Sequence, residues 1–262
     1  MYLKRVLERF GMTDCNPRMT PLPPSIVLTK EQTPQTTEQC TFMADKPYRE
    51  LLRSIMYAQI ATQPDLSYAR SMLSKYASNP GKTHWNALTH VLRYIRGTLG
   101  FRITYGGKHN DLAPIGYVNT DYAGDLNDRC SRAGHVFVQA GGPTAWGSQY
   151  QPTIALSTTE AEYMALTRVM KQILWMYAAM DEAGYPQPKP AILYNDNSGA
   201  VLLMQNTKNN IKVKHIDIRY HYICKRVEDG EIEVRRIAST NNLTDMFTKQ
   251  LPRVTFQKHC AL

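Results

Sequence analysis

The residues of this sequence with most chemistry to offer are carboxylates at the ends of chain segments. Asp121 closes the run GYVNTD, Asp196 closes AILYND, Asp245 opens the last helical stretch in NLTDMF, and Glu160 and Glu162 fall together in LSTTEAEY. A strand end holds its backbone rigidly and leaves the tip open to substrate, so acids at several such ends can converge on divalent cations. Taken singly, each acid would more often be a cap or a turn residue. The two glutamates separate on physical grounds. Ser157-Thr-Thr-Glu160 has the spacing of a capping box, which gives Glu160 a structural task. Glu162 instead leads the series Glu162, Leu166, Val169, Ile173, Met176, Met180, the apolar stripe of a long helix. A carboxylate at the head of a buried stripe must either reach water or meet a cation, and the neighbouring acids favour the cation. Asp125 and Asp128 read as solvated turn residues.

The elements that must position these acids follow from periodicity. Residues 2–10 suggest a short helix, and 15–40, with Pro17, Pro21, Pro23, Pro24 and Pro34, a loop. Helical patterns cover Tyr48 to Ala61, Asp65 to Ala77 and Thr83 to Arg96, the last with Thr83 as N-cap. From Pro114 the texture changes. Ile115 to Asn119, His135 to Gln139 and Thr144 to Ser148 read as consecutive antiparallel strands. A long helix (Ser157 to Ala183), a strand (Ala191 to Tyr194), two helices (Ser198 to Gln205 and His215 to Glu228), a strand (Ile232 to Ile237) and a short helix (Leu243 to Lys249) complete the order βββαβααβα. The chain thus divides into a mainly helical segment, 1–110, and an α/β domain, 111–262.

Across 262 residues, 43% hydrophobic and 20% charged, the composition excludes general disorder. The net charge of +9 is uneven: residues 1–110 carry 15 Lys and Arg against 7 Asp and Glu, a basic excess suited to a polyanion or to ordinary solvated surface. The five cysteines form no CxxC pair and read as reduced thiols, neither a zinc site nor a disulfide framework. No run approaches a membrane span and MYLKRVLERF has no signal-peptide core. An intracellular protein with no membrane partner is expected, cytoplasmic or nuclear.

Residues 112–256, through TEAEYMAL, YNDNSGAVLLMQN, KHIDIRYHYI and TDMFTK, resemble the ribonuclease H domain that ends the Pol polyprotein of copia-type LTR retrotransposons. YRELLRSIMYAQIATQPDLSYARSMLSKYASNPGKTHWNALTHVLRYIRGTLGF is similar to the stretch between polymerase and nuclease in the same polyproteins, the end of the reverse transcriptase region. The resemblance implies a ribonuclease H-like fold, a mixed five-stranded sheet flanked by helices, preceded by a helical connection segment. It implies an endonuclease that hydrolyses the RNA strand of RNA–DNA hybrids with two Mg2+ ions, Mn2+ being an alternative. By motif, Asp121, Glu162, Asp196 and Asp245 would be both catalytic and metal-binding, and the polymerase region of the same polyprotein would be a further partner.

Two departures qualify the match. The connection from Arg236 to Asp245 holds no histidine, where many ribonucleases H carry a mobile one. YNDN offers one aspartate where a polymerase palm needs two adjacent ones, so fingers and palm are absent and a polyprotein fragment is expected. Candidate nucleic-acid contacts are the stripe His215, Arg219, Tyr222 and Arg226, together with Arg93 and Arg96 outside the apolar face of their helix. The competing expectation is a non-catalytic, retrotransposon-derived module for nucleic-acid binding or assembly.

Overall fold

The computed structural model describes residues 2–106, 112–205 and 217–260, with the backbone alone at 203–205 and 217–220. It divides into two compact units, residues 1–103 with 249–262, and residues 104–248. The sequence places 249–262 with the α/β domain, whereas these residues cluster with the helical unit.

The first unit contains α1 (Tyr2–Arg9), α2 (Thr37–Ala44), α3 (Tyr48–Ala61), α4 (Ser67–Ser74) and α5 (Lys82–Gly97), in the order the apolar spacing predicts apart from α2. Helix α2 interrupts the expected proline-rich loop. It is capped by Thr36, whose side chain accepts from the Gln39 amide, and it buries no residue, so no apolar stripe announces it. In α5, Leu88, Leu92 and Ile95 are buried as their spacing requires, each contributing about 2 kcal/mol of burial. The helix begins two residues earlier than an N-cap at Thr83 would have it start. Gly81 is the N-cap, its N–H donates to His84 Nδ1 at 2.9 Å, and a Cβ there would lie 1.8 Å from the Gln32 carbonyl oxygen. That approach admits only glycine.

The second unit is built on one sheet of β1 (Ile115–Asp121), β2 (Arg132–Gln139), β3 (Gly142–Tyr150), β4 (Ala191–Asn195) and β5 (Ile232–Arg236), in the order β3-β2-β1-β4-β5. The first three strands are antiparallel and β4 and β5 run parallel to β1. The mixed five-stranded sheet with flanking helices is the ribonuclease H-like arrangement. Helix α6 (Thr158–Glu182) lays Leu166, Val169 and Ile173 on Val118, Leu193 and Val234 of the sheet, with α7 (Ser198–Gln205) and α8 (Asp217–Glu228) joining the same core through Val201 and Ile223. The start expected for α8 at His215 lies outside the described residues. Helix α9 (Asp245–Thr248) packs on β2, where a Cβ at Gly134 would meet Thr248 Cγ2 at 2.7 Å and Phe247 Cβ at 2.8 Å. Helix α10 (Arg253–Cys260), which no clear periodicity signals, belongs to the first unit and buries Phe256 against Tyr94.

Candidate active site

Two buried stripes end in polar residues at the same edge of the second unit. On α6 the stripe runs from Ile173 back to Glu162, which is 5% exposed. On β4 the inward-facing alternation Ala191, Leu193, Asn195 ends in an asparagine that is 0% exposed. The two meet: Asn195 Nδ2 donates to Glu162 Oε2 at 3.0 Å and to the Val118 carbonyl at 3.2 Å. Thr120 Oγ1 stands 3.4 Å from the same glutamate oxygen. The Asn195 hydrogen bonds were not anticipated from the sequence. The strict alternation Ala191, Leu193, Asn195 is the signal that a polar residue occupies a core position.

Burial pushes the Glu162 carboxyl up to about 7, with the Asp196 charge adding to the rise and the Asn195 and Thr120 donors opposing it. Asp196 follows β4 directly and acts on Glu162 as a like charge. Asp245 opens α9, is buried, and accepts from Asn119 Nδ2 at 2.8 Å. Asp121 closes β1 with its carboxylate over its own turn, where a Cβ at Gly124 would lie 1.9 Å from Asp121 Oδ2. Glu160 keeps the structural task expected of it, displaced by one residue. Its amide donates to Ser157 Oγ at 3.1 Å, and its Oε2 accepts from the Leu156 amide at 2.7 Å in place of the cap's own N–H. Asp125 is buried, contrary to the solvated turn expected. Its Oδ1 accepts from the backbone of Asn127 and Asp128 and closes the loop after β1.

The donor set is of the kind a hard divalent cation takes, oxygen atoms of carboxylates, and a cation beside the Glu162–Asp196 pair would relieve their like charge. Among the described residues, however, no three His, Cys, Asp or Glu side chains stand together closely enough to hold a metal ion. The fit is therefore to the pair, with Asp121 and Asp245 engaged elsewhere.

The basic candidates whose side chains are described are already engaged. Arg226 Nη1 pairs with Glu231 at 2.7 Å and its guanidinium lies over the Tyr222 ring, which Lys171 also approaches. The side chains of His215 and Arg219 fall outside the described residues. In the helical unit Arg93 Nε donates to the Asn16 carbonyl at 2.8 Å and Arg96 Nε to that of Thr13 at 2.7 Å, so both brace the N-terminal loop on α5.

Among known proteins the chain is 41% identical over 98% of its length to the retrovirus-related Pol polyprotein from transposon TNT 1-94 of Nicotiana tabacum. It is 35% identical over 98% of its length to that from transposon RE2 of Arabidopsis thaliana. It spans 19% and 17% of the length of these two relatives. No protein-family profile matches it. A solved ribonuclease H1 isolated from compost by a metagenomic approach is 16% identical and covers 56% of this chain and 97% of its own, with a TM-score of 0.42. The strand order carries the fold assignment without that likeness. No helix among the described residues is long and apolar enough to cross a membrane. The match of nearly the whole of this chain to one part of the plant polyproteins, joined to the β3-β2-β1-β4-β5 sheet, shows that the chain corresponds to part of a copia-type LTR retrotransposon Pol polyprotein and contains a ribonuclease H-like domain.

Proposed function

We propose that the second unit is a divalent-cation-dependent endonuclease cutting the RNA strand of RNA–DNA hybrids, with Asp121, Glu162, Asp196 and Asp245 as its acids. The observation that carries this reading is Glu162, a buried carboxylate beside Asp196 at the open end of a ribonuclease H-like sheet. Such a pair is costly to keep ionised unless a cation joins it. Magnesium, or manganese in its place, supplies when bound the positive charge that eases ionisation of water and departure of the 3′ oxygen. The protein's own part is positional. Asn195 and Thr120 hold Glu162 Oε2, Asn119 holds Asp245 Oδ1, and Asp121, which lies over Gly124, would have to turn from it to join a cation.

The hybrid is held in this reading by phosphate contacts from His215, Arg219, Tyr222 and Arg226, and from Arg93 and Arg96. The polymerase region of the longer relatives would be a protein partner. A second reading draws on the acids as they stand. With no three of them gathered, a non-catalytic module that binds nucleic acid or assembles with a polymerase would have the same structure. Purified protein incubated with labelled hybrid, all-DNA and all-RNA duplexes, in magnesium and in chelator, decides between them. Cleavage confined to the RNA of the hybrid and abolished by chelator is the expected result. Binding of the hybrid without cleavage in magnesium establishes the second reading.

A further inference from the structure

The same edge of the sheet holds three buried asparagines whose side-chain amides have little freedom, and each reaches from one element to another. Asn195 spends one amide nitrogen on two acceptors, the Val118 carbonyl and Glu162 Oε2, while its Oδ1 accepts from the Asn197 amide at 2.9 Å. Asn242, 0% exposed in the loop before α9, donates from Nδ2 to the same Val118 carbonyl at 3.3 Å, and its Oδ1 accepts from the backbone of Thr244 at 3.2 Å and from its hydroxyl at 2.6 Å. Asn119 donates to Asp245 Oδ1 and accepts from the Thr120 amide at 2.7 Å.

The location explains the residue type. The parallel pairing of β1 with β4 has its last register pair at Val118 and Asn195, so beyond this point the two strands part and side chains take over from the backbone ladder. A core residue here must donate to a carbonyl and a carboxylate together. An amide does both without charge. A carboxylate in its place would add a third negative group beside Glu162 and Asp196, and an apolar residue would leave the Glu162 oxygen with only the longer Thr120 contact.

We propose that Asn195 is a positioning residue that orients the Glu162 carboxylate from the end of β4, with Asn242 fixing the Val118 end of the same bridge. Asn195 touches no substrate and acts through Glu162. Its role in activity rests on the nuclease reading above, but its effect on Glu162 does not.

The test is Asn195→Ala in the full chain, read in three ways. A crystal structure of the variant shows the Glu162 carboxylate displaced from its wild-type place. In manganese titrations followed by the shift in melting temperature, the half-saturating concentration rises about 10- to 100-fold, as for loss of a partner that orients a metal ligand. In hybrid cleavage kcat falls by a similar factor and KM for the hybrid stays within about threefold, because the hybrid's own contacts are untouched. If the alanine variant does not fold, Asn195→Ser, which keeps a small polar group at the site, takes the same measurements. A Glu162 carboxylate unmoved in the folded variant overturns the positioning role whatever the activity. A displaced carboxylate in a protein whose wild type neither binds manganese nor cuts leaves the positioning role standing and removes the nuclease reading.

Discussion

At the residue scale, the decisive feature is a glutamate placed where a core side chain would be. Glu162 is the head of the α6 stripe and is buried beside Asp196, whose charge makes its ionisation harder. Replacing Asp196 by Asn removes that repulsion and keeps the shape. In chelator the variant should therefore be more stable than the wild type, by on the order of 1 kcal/mol, while hybrid cleavage in magnesium is lost. Thermal melts in chelator and a cleavage assay check both halves, and a fully active Asp196→Asn protein would remove the residue from the site. Glu162 was legible in the sequence because seven-residue recurrence along a helix is a strong signal and a carboxylate breaks it visibly. The Asn195 bridge was harder to see, since a strand of five residues offers three inward positions and the asparagine is the last of them.

At the element scale, the helices were readable wherever they bury a stripe and unreadable where they do not. Helices α3 and α5 follow from their spacing, whereas α2 presents an unburied surface and α10 buries only Phe256 and His259 among its residues. The long-range contacts that fix helix α5 were equally hidden. One is Asp65, which sits in the 3-10 turn Pro64–Leu66 and accepts a hydrogen bond from the Tyr94 hydroxyl of α5. Burial pushes the Asp65 carboxyl up to about 6, with the Tyr94 hydrogen bond opposing the rise. Its folded value lies above its unfolded one of 3.8, so the stabilising effect is complete below about pH 3.8 and is lost as pH rises through about 6. Asp65→Asn keeps an oxygen for Tyr94 and cannot ionise. It should flatten that fall by a few kcal/mol, since each tenfold change in proton affinity is worth about 1.4 kcal/mol, and stabilise the protein at neutral pH. The buried His84 and His135 and the half-buried His90 are held below their ordinary range by burial and oppose this trend, losing stability as pH falls. Urea melts of wild type and Asp65→Asn at pH 4.5 and 7 isolate the Asp65 contribution by difference, and equal pH slopes in the two proteins would contradict it.

At the scale of the whole molecule, the sequence reads by charge and by texture as a basic helical part, 1–110, and an α/β part, 111–262, whereas the structure has as its two units residues 1–103 with 249–262 and residues 104–248. Residues 249–262 could not be placed by local pattern, because their attachment depends on Phe256 meeting Tyr94, a contact between residues far apart in the chain. The mixed five-stranded sheet was implied by resemblance, and its strand order rests on the parallel pairing of β1 with β4, again a non-local choice. What the pattern of acids could not supply is their mutual geometry: the pair Glu162 and Asp196 comes together, while Asp245 is held by Asn119 and Asp121 lies over Gly124. The central claim, that this edge of the sheet is a cation centre for phosphodiester hydrolysis, therefore turns on where a cation binds. The direct measurement is the anomalous diffraction of crystals of the full chain soaked in manganese. The account predicts a manganese peak in contact with the Glu162 and Asp196 carboxylates, with Asp121 turned away from Gly124 to join it. A fully soaked crystal with no peak at this edge, in protein that still binds hybrid, would contradict it.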